Sequence, residues 1–125
     1  MNRLCWIAAA VVASAAVTVP LGCSSSSPQV VTGGNGQAGM SAITHYGCGS
    51  CHTIPGVKGA TALVGPPLIH WSRRSFIAGK LANTPDNLEH WIQDPQSVWP
   101  GNDMPNLGVS ATDARNIAAY LDGIS

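Results

Sequence analysis

The stretch YGCGSCHTIP, residues 46–55, carries two cysteines three positions apart and a histidine directly after the second: Cys48, Cys51 and His52. Residues at that spacing lie on one side of a helical turn, so two sulfurs and an imidazole are presented together. Upstream, helical spacing runs from about Gln37 to Tyr46 and stops at Gly47, a residue suited to leaving the right-handed region. Downstream, Thr84 caps a second helix with Pro85 at its first position, and Leu88, Trp91 and Ile92 share one face before Asp94 and Pro95 end it. A third helix opens at Ser110, with Asp113 as a weaker form of capping box; Ala114, Ile117, Ala118 and Leu121 form its apolar stripe up to Gly123. A short helical turn is expected near Ser75 to Leu81. No segment alternates convincingly as a strand, so the class is all-α: three main short helices joined by the long loops Thr53 to Arg74 and Pro95 to Val109.

The 125 residues suffice for one domain and not for two with separate cores. Charged residues make up 10% of the chain, six basic against six acidic, which leaves no field to gather nucleic acid. The apolar content of 45% is densest in the first 22 residues, and the rest is rich in Gly, Pro and Ser with one Phe and two Tyr. A core built from those residues alone is marginal, and three short helices cannot close it. A large apolar ligand inside would resolve the shortage.

The amino terminus reads as an address. Arg3 precedes an uncharged run from Leu4 to Leu21, an export signal over residues 1–22 or, uncleaved, a signal anchor. Gly22 before Cys23 and the serines after it resemble a bacterial lipobox, in which the cysteine becomes acylated, although Pro20 stands where that pattern usually has Leu. The alternative is an unmodified Cys23. Residues 23–35 have the composition of a flexible tether, and the folded domain is expected over residues 36–125. The expected place is outside the cytoplasm, in the periplasm or at the outer face of the cytoplasmic membrane, held by lipid or signal anchor.

The pattern C-x-x-C-H is the attachment signature of c-type haem. Both sulfurs can reach the two vinyl groups on one porphyrin edge as thioethers, and the next residue aims imidazole at the iron. One covalent haem, bound through Cys48 and Cys51, then supplies the missing core. A thioredoxin-type redox pair would need a strand and helix framework that is not present around Cys48. A zinc site would need a second ligand pair, and His45, His70 and His90 are scattered. A disulfide between Cys48 and Cys51 would be strained across so short a loop.

On these residues the chain, across roughly Gly36 to Ser125, resembles the class I cytochrome c family, and in particular the cytochrome c domain fused to subunit II of haem-copper oxidases. The resemblance implies a cytochrome c fold with Cys48 and Cys51 as thioether cysteines, His52 as proximal ligand and Met104, followed by Pro105, as distal ligand. Met40 and His70 compete less well for that place. The resemblance also implies that Gly39 sits at the crossing of the first and last helices beside Tyr120, with Ile43 in place of a Phe. Pro66 would offer its carbonyl to the ligand histidine. Arg74, and less so Arg73, are candidates for the haem propionates, with solvated arginines as the alternative. Trp71 and Trp91 are haem-pocket candidates or plain core tryptophans. Trp99 is a docking candidate near the haem edge.

With both axial positions filled, the implied function is one-electron transfer in a respiratory chain, without small-molecule substrate or catalysis of its own. The implied partners are redox proteins, a terminal oxidase or a quinol-oxidising complex. From Cys23 onward five basic residues face six acidic ones, so steering by charge is expected to be weak. A permanently docked haem subunit of an oxidase is the first alternative. A haem peroxidase or gas-binding domain, which needs an open iron position, is the second.

Overall fold

The computed structural model describes residues 33–124. The signal, Cys23 and most of the expected tether lie outside the described residues. Helix α1 (Gly36–His45) is followed by a one-turn 3-10 helix at Cys48–Ser50 and another at Trp71–Arg73. The hairpin β1 (Phe76–Ile77) and β2 (Leu81–Ala82) precedes α2 (Pro85–Gln93), α3 (Pro95–Val98) and α4 (Ala111–Gly123). The architecture is mostly helical with long loops, as the cytochrome c fold requires. Among the described residues no helix is long and apolar enough to cross a membrane.

The helices start where their capping residues stand. Asn35 accepts from the Ala38 amide, Thr84 from that of Asn87, and Ser110 from that of Asp113, each satisfying an otherwise unpaired first-turn donor. The cap of α4 is completed from far away. Asp113 is one methylene shorter than the Glu of a full capping box, and the Ser110 amide donates instead to the Tyr46 hydroxyl at 3.4 Å. That hydroxyl donates to Asp113 Oδ2 at 2.9 Å, and Ser110 Oγ donates to the same oxygen at 2.8 Å. The bonds from Ser110 and Tyr46 hold the Asp113 carboxyl below its ordinary range.

Helix α4 buries the predicted stripe of Ala114, Ile117, Ala118 and Leu121, and packs against α1 and α2. The α1–α4 crossing is close because Gly39 has no side chain: a Cβ there would lie 2.0 Å from the Asn116 carbonyl oxygen. The two residues before α1 join this contact. A Cβ on Gly34 would lie 2.3 Å from the Arg115 carbonyl oxygen, and the Asn35 amide donates to Asn116 Oδ1 at 2.9 Å. The last residues of the predicted tether are thus seated on α4.

Two expectations are corrected. The helical turn near Ser75 to Leu81 is a hairpin: Ala78 and Gly79 have φ of 49° and 67°, the pair of positive values a type I′ turn needs, and the Lys80 amide donates to the Ile77 carbonyl at 2.9 Å. The predicted loop from Pro95 begins with α3, because Asp94 ends α2 and also caps the next turn through Oδ1 to the Ser97 amide.

Ala78 tolerates its left-handed conformation at a cost of about 1 kcal/mol, which Asn largely avoids. Ala78→Asn is therefore expected to stabilise the protein by about 0.5 kcal/mol, raising its melting temperature by roughly 3 °C. A lower melting temperature in a thermal scan would contradict the turn assignment.

Candidate functional site

The 3-10 turn at Cys48–Ser50 follows directly from Gly47, whose φ of 70° breaks α1 and turns the chain. The Cys51 and His52 amides both donate to the Cys48 carbonyl, at 3.2 and 3.0 Å, so the motif is wound into one tight turn. Gly49 lets Ala60 press against it, since a Cβ there would meet Ala60 Cβ at 2.8 Å. Cys48 and Cys51 are not joined to each other in a disulfide, and burial pushes the Cys48 thiol up from its ordinary value.

The long loop after His52 is laced back onto this turn. Thr53 and Thr61 form a β-bridge, the Gly65 amide donates to the Cys51 carbonyl at 2.7 Å, and the Leu68 amide to that of Thr53 at 2.8 Å. Tyr120 on α4 pins the loop from outside by donating its hydroxyl to the Pro55 carbonyl at 2.6 Å. These bonds set Pro66 so that its carbonyl oxygen lies 2.8 Å from His52 Nδ1. With Nδ1–H donating there, Nε2 is left as the ring's acceptor and metal-binding atom. Gly65 lies against the imidazole: a Cβ would stand 2.4 Å from His52 Cε1.

One cavity of about 380 Å³ opens above this turn, within the usual size of a cofactor site. Cys48, Cys51, His52, Pro66, Trp71, Arg74, Trp91 and Met104 all line it, brought from α1's end, both long loops and α2. Trp99 stands at its lining too and is 43% exposed, with Lys80 Nζ 4.7 Å above its ring. Met40, His45, Arg73, His70 and His90 are not among its lining. His70 is exposed at a φ of 49°, and its imidazole has no hydrogen bond among the described residues.

Trp71 is 5% exposed, and its Nε1 is buried without a hydrogen-bond partner among the described residues. A buried N–H costs about 1–3 kcal/mol when unpaired, so this atom fits a site whose occupant carries an acceptor. Arg74 stacks its guanidinium 5.0 Å from the Trp71 ring centroid and donates to the Pro67 and Ile69 carbonyls, the second at 3.3 Å. It thereby stiffens the Pro66 loop while lining the cavity. The donor set fits a haem c site: two thiols and an imidazole with a fixed hydrogen-bond partner on one turn, a thioether lining the same cavity, apolar walls and one orphaned N–H.

Sequence reasoning missed the residues that shape the Met104 loop. Gln96 Nε2 donates to the Met104 carbonyl at 2.8 Å, and Asn102 Oδ1 accepts from the Met104 amide at 2.8 Å. A signal was present in Asn102 following Gly101, a turn pair just before the methionine.

Comparison with known proteins agrees with this geometry. The chain is 38% identical over 84 residues to cytochrome c oxidase subunit 2 of Alkalihalophilus pseudofirmus, covering 66% of this chain and 24% of that protein. It is 36% identical over 83 residues to the protein of the same name in Bacillus subtilis, with 62% and 23% covered, and 37% over 65 residues to that of a Bacillus species, with 50% and 18% covered. The chain thus spans about a quarter or less of the length of these relatives. No solved structure matches it. The family model for Cytochrome c matches residues 36–125. Because that span runs from the first residue of α1 through the whole of α4 and takes in every wall of the cavity, the chain belongs to the cytochrome c family, a domain of haem electron transfer.

Proposed function

We propose that this protein carries one covalently bound haem c between His52 and Met104 and works as a one-electron carrier outside the cytoplasmic membrane, exchanging electrons with a terminal oxidase. The observation that carries the reading is the meeting of Cys48, Cys51, His52 and Met104 on one apolar cavity, with His52 Nδ1 fixed at 2.8 Å by Pro66. Cys48 and Cys51 would hold the haem as thioethers, each S–H added across one vinyl group with no net gain or loss of electrons. When bound, the haem supplies a reversible one-electron iron couple. The Pro66 carbonyl keeps the imidazole oriented and basic. Met104, lining the same cavity, would supply its thioether sulfur to the iron as the second protein ligand beside His52. Trp71 Nε1 would offer its N–H to a propionate, and Arg74, stacked on that ring, would add positive charge beside it.

The oxidase is favoured as partner because the relatives above are subunits of one by name. The same fact supports a second reading, a haem subunit docked permanently in an oxidase. Constant stoichiometry through purification would favour the docked subunit, and separation in mild detergent the free carrier. Met104 as ligand is tested by Met104→Ala, expected to abolish the weak red absorption band of a methionine-ligated ferric haem and to open the iron to added ligands. Persistence of that band would refute Met104 as ligand.

A further inference from the structure

We propose that Gln96, on a turn of helix with no contact to the C-x-x-C-H motif in sequence, is the positioning residue that holds Met104 closed on the iron. The proposal rests on the reading of Met104 as distal ligand and says what keeps it there. A methionine side chain is unbranched with three rotatable bonds, so it carries little orientation of its own. Its backbone must be held, and the structure holds it on both sides. The Met104 amide donates to Asn102 Oδ1 at 2.8 Å, and its carbonyl accepts from Gln96 Nε2 at 2.8 Å.

Gln96 grips more than the ligand residue. Its Nε2 also donates to the Asn102 carbonyl at 3.0 Å, and its Oε1 accepts from the Gly101 amide at 3.0 Å. Both amide hydrogens and one oxygen lone pair are thus committed to three residues of one loop. Asn102 closes the circle by donating Nδ2 to the Trp99 and Pro95 carbonyls, at 2.7 and 3.0 Å. The loop 99–104 is therefore wound around two carboxamides, and only Gln96 lies outside it, on α3. Helix α3 is in turn fixed at its start by Asp94, the common end of α2. A ligand that replaces Met104 binds only when this loop has opened, so its apparent affinity measures the open fraction.

The experiment titrates the ferric holoprotein with imidazole and follows the visible spectrum. Gln96→Glu keeps the length and the acceptor for Gly101 while setting a carboxylate oxygen against two carbonyls. It is expected to raise imidazole affinity about tenfold or more. Gln96→Met, of similar length without donors, is expected to act in the same direction and covers a failure of the first variant to fold. Ser97→Ala, on the same turn and bonded to Asp94 and His90, is expected to bind imidazole as the wild type does. Wild-type affinity in both Gln96 variants overturns the proposal, and so does an equal rise in Ser97→Ala, which would mark general loosening of α3. Met104→Ala separates the two layers. If it gains affinity and the Gln96 variants do not, the positioning role alone fails; if it gains none, the ligand assignment fails and the proposal with it.

Discussion

The double variant Cys48→Ala/Cys51→Ala, expressed in cells competent in haem maturation, is expected to be colourless and to lack a cooperative thermal transition. The reason is the size of what the two sulfurs hold in place. Among the described residues the apolar core consists of 13 buried side chains, four of them alanine, arranged around a cavity of about 380 Å³. Left empty, it deprives the surrounding side chains of packing partners along an apolar wall, in a domain that is stable by only about 5–15 kcal/mol. The chain without its filler therefore collapses to something other than this fold. Circular dichroism through a thermal ramp decides it: a sharp transition at the wild-type temperature in colourless protein would show that the helices pack without an occupant.

Gly39→Ala is the second large effect, and it arises at a backbone contact instead of the site. The added Cβ would lie 2.0 Å from Asn116 O, 2.6 Å from Asn116 C and 3.0 Å from the Ile117 nitrogen. All three are main-chain atoms of α4, which cannot swing aside as a flexible side chain can. Alanine gains about 1 kcal/mol over glycine in helix propensity. The forced separation of the helices costs more, about 3 kcal/mol or above net, because the buried faces carrying Ala42 and Ile43 on α1 and Ile117 and Ala118 on α4 lose close packing. The melting temperature should fall by roughly 12 °C or more. Gly47→Ala is the control, since Gly47 has a φ of 70° and nothing within 4 Å of its absent Cβ. It is expected to cost only about 1 kcal/mol of backbone strain. Equal losses at the two positions would mean that the crossing is looser than these distances.

The positions of Cys48, Cys51, His52 and Met104 were legible in the chain, the first three as a motif and the last through a family resemblance. Their meeting on one cavity was not. Pro66 comes within 2.8 Å of His52 only because the intervening loop is laced by amides from Gly65 and Leu68 to carbonyls at Cys51 and Thr53. Arg74, a candidate for the propionates from the family resemblance, also supports two carbonyls of that loop. Gln96 was silent, since an amide side chain on a polar turn has no pattern that distinguishes a clamp from a solvated residue.

What the amino-acid order decided by itself is whatever is settled within four residues: the starts of α2 and α4 at Thr84 and Ser110, the break at Gly47, and the single turn that sets two sulfurs beside an imidazole. Caps and turns act through bonds from one residue to the third or fourth after it, so a window of sequence contains both partners. Tertiary structure alone decided the Tyr46–Asp113 bond across 67 residues, the seat of Asn35 on Asn116 across 81, and the grip of Gln96 on Met104 from a turn that begins where another helix ends. Those contacts depend on which surfaces the folded chain brings together, and there the partner of a polar group is chosen by proximity in space after the apolar faces have met.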